Sequence, residues 1–81
     1  MIVERTDRFL KTFSKIKDAS TKERVIAHTK KIIASPDVGK PMRYERKGTR
    51  EVYVPPFRLS YVHIPEEDKI IFLDLYHKDE Q

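Results

Sequence analysis

Three groups of residues in this 81-residue chain have the types and spacing to do chemistry. The first is Arg58, a cation inside the β-type run Phe57-Arg58-Leu59-Ser60-Tyr61. A guanidinium on a strand can clamp a phosphate through two parallel hydrogen bonds, or pair with a carboxylate such as Glu51 or Asp74 across a sheet. The second is Tyr76-His77-Lys78. An imidazole titrates near neutral pH and serves as acid or base; the plainer alternative is an exposed histidine near the end of the chain. The third is the basic set Arg43, Arg46, Lys47 and Arg50, with Tyr44 and Tyr53 interleaved. Cations among aromatics suit single-stranded nucleic acid, where phosphates pair and bases stack, although a solvated charged hairpin has the same composition.

Together these residues describe a phosphodiester site that works without a metal. Cleaving RNA this way needs a base for the 2′-hydroxyl proton, cations for the phosphorane, and an acid for the leaving 5′-oxygen. Arg58 and the basic hairpin supply the cations, and His77 supplies acid or base. The second proton-transfer group stays open among Glu51, Tyr53, Tyr61 and Asp79. Other chemistries lack their residues. Gly39 and Gly48 are the only glycines, so there is no glycine-rich phosphate loop. His28, His63 and His77 have no metal-ligand spacing, and the absence of cysteine excludes disulfides and thiolate metal sites. No cofactor is implied.

Size says where such a site can sit. A chain this short buries roughly 60–65% of the surface its unfolded form exposes, so the core is thin and an enclosed active site has no room. The chemistry belongs on an open face, completed by a second macromolecule. The net charge of +4 is uneven: residues 1–40 hold ten Lys/Arg against five Asp/Glu, and residues 41–81 hold seven against eight. Residues 40–58 carry six basic and two acidic side chains, which points to a polyanion at one place. Residues 1–8 are charged and lack a long apolar run, so neither a signal peptide nor a membrane span is expected; a cytoplasmic location is the expectation that fits a chain without cysteine.

The elements that would position these groups can be read from periodicity. One domain, 1–81, is expected. Ile2-Val3 suits an edge strand. Thr6 or Asp7 can cap a first helix whose face carries Phe9, Phe13 and Ile16. Ser20 and Glu23 have capping-box spacing for a second helix with Val25, Thr29 and Ile32 on one stripe, ended by Ser35-Pro36. Strands follow over 42–46, 50–54, 57–64 and 70–76, with turns at Lys47-Gly48, Pro55-Pro56 and 65–68. The predicted fold is α+β: a two-helix hairpin on one face of a small antiparallel sheet of about four strands. Phe57, Leu59 and Tyr61 face the helices, and Arg58 and Ser60 face outward.

Three stretches carry a resemblance to the RelE/ParE family of toxins from prokaryotic toxin–antitoxin pairs. Ile32-Ile33-Ala34-Ser35-Pro36 with Gly39-Lys40-Pro41-Met42-Arg43 is similar to the family's helix exit. Phe57-Arg58-Leu59-Ser60-Tyr61 resembles its arginine strand, and the run from Ile70 through Tyr76-His77-Lys78 resembles its last strand, most of all in the YoeB branch. The resemblance covers nearly the whole chain and implies a RelE-like fold and an endoribonuclease that cuts mRNA on the ribosome. It assigns the scissile phosphate to Arg58 and proton transfer to His77. Read from the residues themselves, Arg43, Arg46, Lys47, Arg50 and Lys78 are the expected RNA contacts, and Glu51, Tyr53, Tyr61 and Tyr76 the acid–base or stacking candidates. Its implied partners are the ribosome, mRNA and an acidic antitoxin that covers the basic face. The chain departs from the family in having no lysine near Glu51 and Tyr53, where RelE carries them, and no clear match to the YoeB glutamate, for which Glu45 is a candidate. The same fold implies two alternatives: a ParE-like toxin that binds DNA gyrase without cutting RNA, and a degenerate toxin that keeps only antitoxin binding.

Overall fold

The computed structural model describes residues 1–43 and 48–77. Strand β1 (Ile2–Arg5) leads through Thr6 into helix α1 (Asp7–Lys15). Thr6 is the N-cap, its hydroxyl accepting from the Phe9 amide. Helix α2 (Ala19–Ala34) is capped by Asp18, which accepts from the amides of Ser20 and Thr21 and from the Thr21 hydroxyl. The expected Ser20–Glu23 capping box is therefore replaced by a cap two residues earlier. An aspartate reaches both orphan amides at once, and the bond from the Thr21 hydroxyl, with those from the two amides, holds its carboxyl below the ordinary range. A short 3₁₀ turn, Pro36–Val38, follows α2. The remaining strands are β2 (Lys40–Pro41), β3 (Arg50–Val54), β4 (Phe57–Ile64) and β5 (Lys69–His77).

The strands form one five-stranded sheet in the order β1-β5-β4-β3-β2. This corrects the expected antiparallel sheet of about four strands. The β2–β3, β3–β4 and β4–β5 pairs are antiparallel, but β1 runs parallel to β5. The reason is the crossover: two helices separate β1 from the rest of the sheet, which lets a first strand lie beside the last in the same direction. The strand expected over 42–46 is realised only as Lys40–Pro41, and residues 44–47 lie outside the described residues. Both helices cover one face. The core between them and the sheet holds Phe9, Ile16, Val25 and Ile32 from the helical half, and Val54, Leu59, Tyr61, Ile70, Phe72 and Leu75 from the strands. Among the described residues no helix is long and apolar enough to cross a membrane.

Two local devices shape the sheet. The β4–β5 pairing slips by one residue: Ser60 lies opposite Asp74, but Tyr61 lies opposite Phe72, so Leu73 is an extra residue in β5. This is a β-bulge, and beyond it every side chain swaps face. Thr6 holds the bulge, donating its hydroxyl to the Leu73 carbonyl and its amide to the Phe72 carbonyl. The second device joins the helix exit to β4. The buried Tyr61 hydroxyl donates to the Pro36 carbonyl at 2.6 Å and accepts from the Gly39 amide at 2.9 Å. A Cβ on Gly39 would stand 2.6 Å from that hydroxyl, so only glycine fits there.

Candidate functional site

The open face follows from the register. One row across β3, β4 and β5 reads Tyr53, Arg58, Tyr76; the next reads Glu51, Ser60, Asp74. Arg58 thus stands between two tyrosines, with its guanidinium carbon 5.6 Å from the centre of the Tyr53 ring. Its Nη1 lies 3.9 Å from Glu51 Oε1, so of the two expected carboxylate partners Glu51 is the one used. Arg58 Nε is buried without a hydrogen-bond partner among the described residues, so the guanidinium keeps unspent donor capacity.

Glu51 and Tyr76 lie on strands two places apart, about 10 Å at ordinary strand spacing, yet the Tyr76 hydroxyl donates to Glu51 Oε2. The contact is diagonal across β4, and the small Ser60 opposite Glu51 leaves room for it. A hollow of about 420 Å³ opens beside this pair, lined by Glu51, Ser60, Asp74, Tyr76, Thr49 and Arg8 among others. A second, of about 390 Å³, adjoins it around the rim of β5 and is lined by Arg8, Thr12, Phe57, Asp74, Tyr76 and His77. Arg8, Asp74 and Tyr76 border both. Arg8 Nη1 lies 3.7 Å from Asp74 Oδ2. Sequence reasoning missed Arg8, because nothing in the chain links a first-helix cation to the last strand until the bulge brings them together.

Several expected site residues are placed differently. His77 does not share the open face with Arg58. It pairs with Phe57, their ring centres 6.0 Å apart edge to face, and reaches only the second hollow. The bulge is the cause: strict alternation from buried Phe72 would turn residue 77 outward, and the extra Leu73 turns Tyr76 outward instead. Arg50, expected as an RNA contact, is tied into the fold. It donates to the carbonyls of Gly39 and Asp37 at 2.8 and 3.2 Å and pairs with the Asp37 carboxylate at 3.6 Å. Tyr61 is wholly buried and its hydroxyl is committed, which removes it as an acid–base candidate. Burial also pushes its phenol above the ordinary value, against the opposing pull of the Gly39 amide and Arg50. Arg43 is exposed on the loop after β2, and Tyr53 is 46% exposed. Arg46, Lys47, Lys78, Asp79, Tyr44 and Glu45 lie outside the described residues.

Comparison with known proteins follows this geometry. A family model described as the ParE toxin of type II toxin–antitoxin systems, parDE, matches residues 3–81. The fold is similar to the RelBE toxin–antitoxin complex of Escherichia coli, with a TM-score of 0.80 at 17% identity over 99% of this chain and 98% of that one. It is similar to the YoeB/ParE toxin of Agrobacterium tumefaciens, with a TM-score of 0.85 at 13% identity over 95% and 98%. It is similar to the RelBE2 complex of Mycobacterium tuberculosis, with a TM-score of 0.82 at 24% identity over 95% and 96%. Among curated proteins none matches the sequence.

Proposed function

Because the chain belongs to the ParE toxin family of type II toxin–antitoxin systems, we propose that it acts in the cytoplasm as a toxin that cuts translated mRNA on the ribosome. The observation that carries this reading is the row Tyr53–Arg58–Tyr76 on the face of the sheet that neither α1 nor α2 covers. A guanidinium in a row with two tyrosines suits a nucleotide strand: the cation takes the phosphate and the rings take the flanking bases. Arg58 would stabilise the charge that builds on the phosphorane. His77, in the adjoining hollow around the rim, would protonate the leaving 5′-oxygen as the substrate bends over Tyr76. The shallow hollows hold a strand only loosely, so the ribosome would supply the positioning, and naked RNA would be a poor substrate.

The toxin's partner would be an acidic antitoxin. An apolar groove of about 330 Å³ runs between α1 and α2, lined by Phe9, Leu10, Phe13, Ile26 and Ile33 and edged by Arg5 and Lys30. Leu10 and Ile26 are 46% and 42% exposed, which a protein acting alone has no reason to leave in water side by side. An acidic, partly apolar segment fits this groove and its basic edges.

A second reading has its own support. His77 and Arg58 face opposite ways, as a toxin that binds DNA gyrase without cutting RNA would allow. Inducing the protein and mapping new 5′ ends on translated and untranslated copies of one mRNA separates the two. Cuts confined to the translated copy are the expected result. Growth arrest with DNA damage and no cuts would replace the nuclease by the gyrase poison.

A further inference from the structure

Attack by a 2′-hydroxyl needs a group that removes its proton, and the open face holds a pair suited to that task. Glu51 carries a carboxylate whose side chain is only 4% exposed, with Arg58 at 3.9 Å and the Tyr76 hydroxyl donating to it. A carboxylate this enclosed can hardly touch a ribose, although it lines the first hollow. Tyr76 can, because its side chain borders both hollows and its hydroxyl stands next to Glu51. A phenol that donates its proton still has oxygen lone pairs with which to accept one.

We propose that Tyr76 and Glu51 form a proton relay, in which Tyr76 is the residue that meets the 2′-hydroxyl and Glu51 is the sink behind it. The inference rests on the endoribonuclease reading. The 2′-hydroxyl proton passes to the Tyr76 oxygen as the phenolic proton passes to Glu51 Oε2. The electron pair left on the 2′-oxygen forms the bond to phosphorus, the bond from phosphorus to the 5′-oxygen breaks, and that oxygen takes a proton from His77. The products are a 2′,3′-cyclic phosphate and a 5′-hydroxyl end. Glu51, left as a neutral acid, returns its proton to solvent through Tyr76.

The relay also explains why the carboxylate sits against Arg58. Before reaction Glu51 is the counter-ion of the guanidinium. When Glu51 takes the proton, its negative charge is in effect moved to the phosphorane, and Arg58 loses one anion as it gains the other. The site's total charge does not change, so the arginine has little reorganising to do. Ser60, opposite Glu51, is part of the device, since a larger residue there would crowd the diagonal contact of Tyr76 with Glu51.

The test uses the full chain and programmed ribosomes. Single-turnover cleavage is followed against pH for the wild type, Glu51→Gln, Tyr76→Phe and the double variant. Binding of an uncleavable 2′-deoxy oligonucleotide is measured in parallel. Glutamine keeps an acceptor for Tyr76 and a similar volume but takes no proton. Each single variant should cut about 100-fold slower or worse, at the scale of a lost acid–base group, while still binding the oligonucleotide. The double variant should cut no slower than the singles, because the two act as one unit. The pH–rate profile of Glu51→Gln should differ in shape from that of the wild type. Wild-type cleavage by Glu51→Gln, or losses in the two singles that multiply in the double, would overturn the relay and leave the nuclease reading standing. A wild type that cuts nothing overturns both.

Discussion

Arg50 and Arg58 lie on neighbouring strands of the same sheet, and their partners give them opposite roles. Arg50 ties the helix exit to β3 through two carbonyls and Asp37. Arg58 has one loose carboxylate contact and an Nε without a hydrogen bond among the described residues. Arg58→Ala should therefore keep the fold, with a lowered melting temperature because the enclosed Glu51 loses its counter-ion, and slow ribosomal cleavage by about 10²- to 10³-fold, the size of one lost transition-state donor. Unchanged growth arrest on induction of that variant would remove Arg58 from the site. Tyr61 offers a prediction about stability. Its phenol is raised above the ordinary value of 10.0 in the folded protein, so the native state favours the neutral form more than the unfolded chain does. That contribution is complete below about pH 10 and is lost as pH rises through the folded value. Denaturant midpoints should fall on going from pH 9 to pH 11, two conditions about one unit either side of the phenol's ordinary value, and the part due to Tyr61 should vanish in Tyr61→Phe. The same variant leaves the Gly39 amide and the Pro36 carbonyl without their partner, at about 1–3 kcal/mol per buried group. A midpoint equal to wild type at neutral pH would mean that these groups find other partners.

The elements were largely legible from the chain. Helix faces showed in Phe9 and Phe13 and in Val25, Thr29 and Ile32, and all but Phe13 are buried. The alternation of Phe57, Leu59 and Tyr61 against Arg58 and Ser60 gave β4 its correct faces. Two features stayed hidden for physical reasons. The parallel pairing of β1 with β5 depends on a contact across the whole chain, which no local pattern records. The bulge at Leu73 shows only as apolar Phe72 and Leu75 spaced by three instead of two, and that one break decides that Tyr76, not His77, joins Arg58. The link between Gly39 and Tyr61 was visible as two motifs but not as one device. It yields a prediction for the loop that leads into the basic segment. Gly39→Ala forces a Cβ against the Tyr61 hydroxyl and should cost about 1–3 kcal/mol, the usual penalty for overfilling a packed site. In a domain of this size each kcal/mol lowers the melting temperature by about 4–8 °C. Tyr61→Phe should recover part of that loss in the double variant by removing the oxygen that is struck. Strict additivity of the two losses would show that the loop moves away as a body.

At the scale of the molecule, the sheet is sided. One face is closed by two helices, and the other presents the arginine row; between the helices an apolar groove opens on the far side from that row. Proposed substrate and proposed antitoxin segment would thus occupy separate surfaces, and it should be possible to damage one without the other. Leu10→Asp and Ile26→Asp replace side chains already 46% and 42% exposed, so their effect on stability should stay within about 0.5 kcal/mol. Each puts a negative charge where an acidic segment must bury apolar surface. Loss of an anchoring contact of that kind is worth about 2 kcal/mol, or roughly 30-fold in affinity. The expected phenotype is a toxin that arrests growth as the wild type does, yet is no longer rescued by its antitoxin at matched expression. Titration of the two purified proteins would give the same answer directly. Affinity equal to wild type in both variants would move the antitoxin off the helix groove. Arrest lost together with rescue would instead mean that the two surfaces communicate through the Thr6–Leu73 junction, where α1 begins and the bulge sets the face of Tyr76.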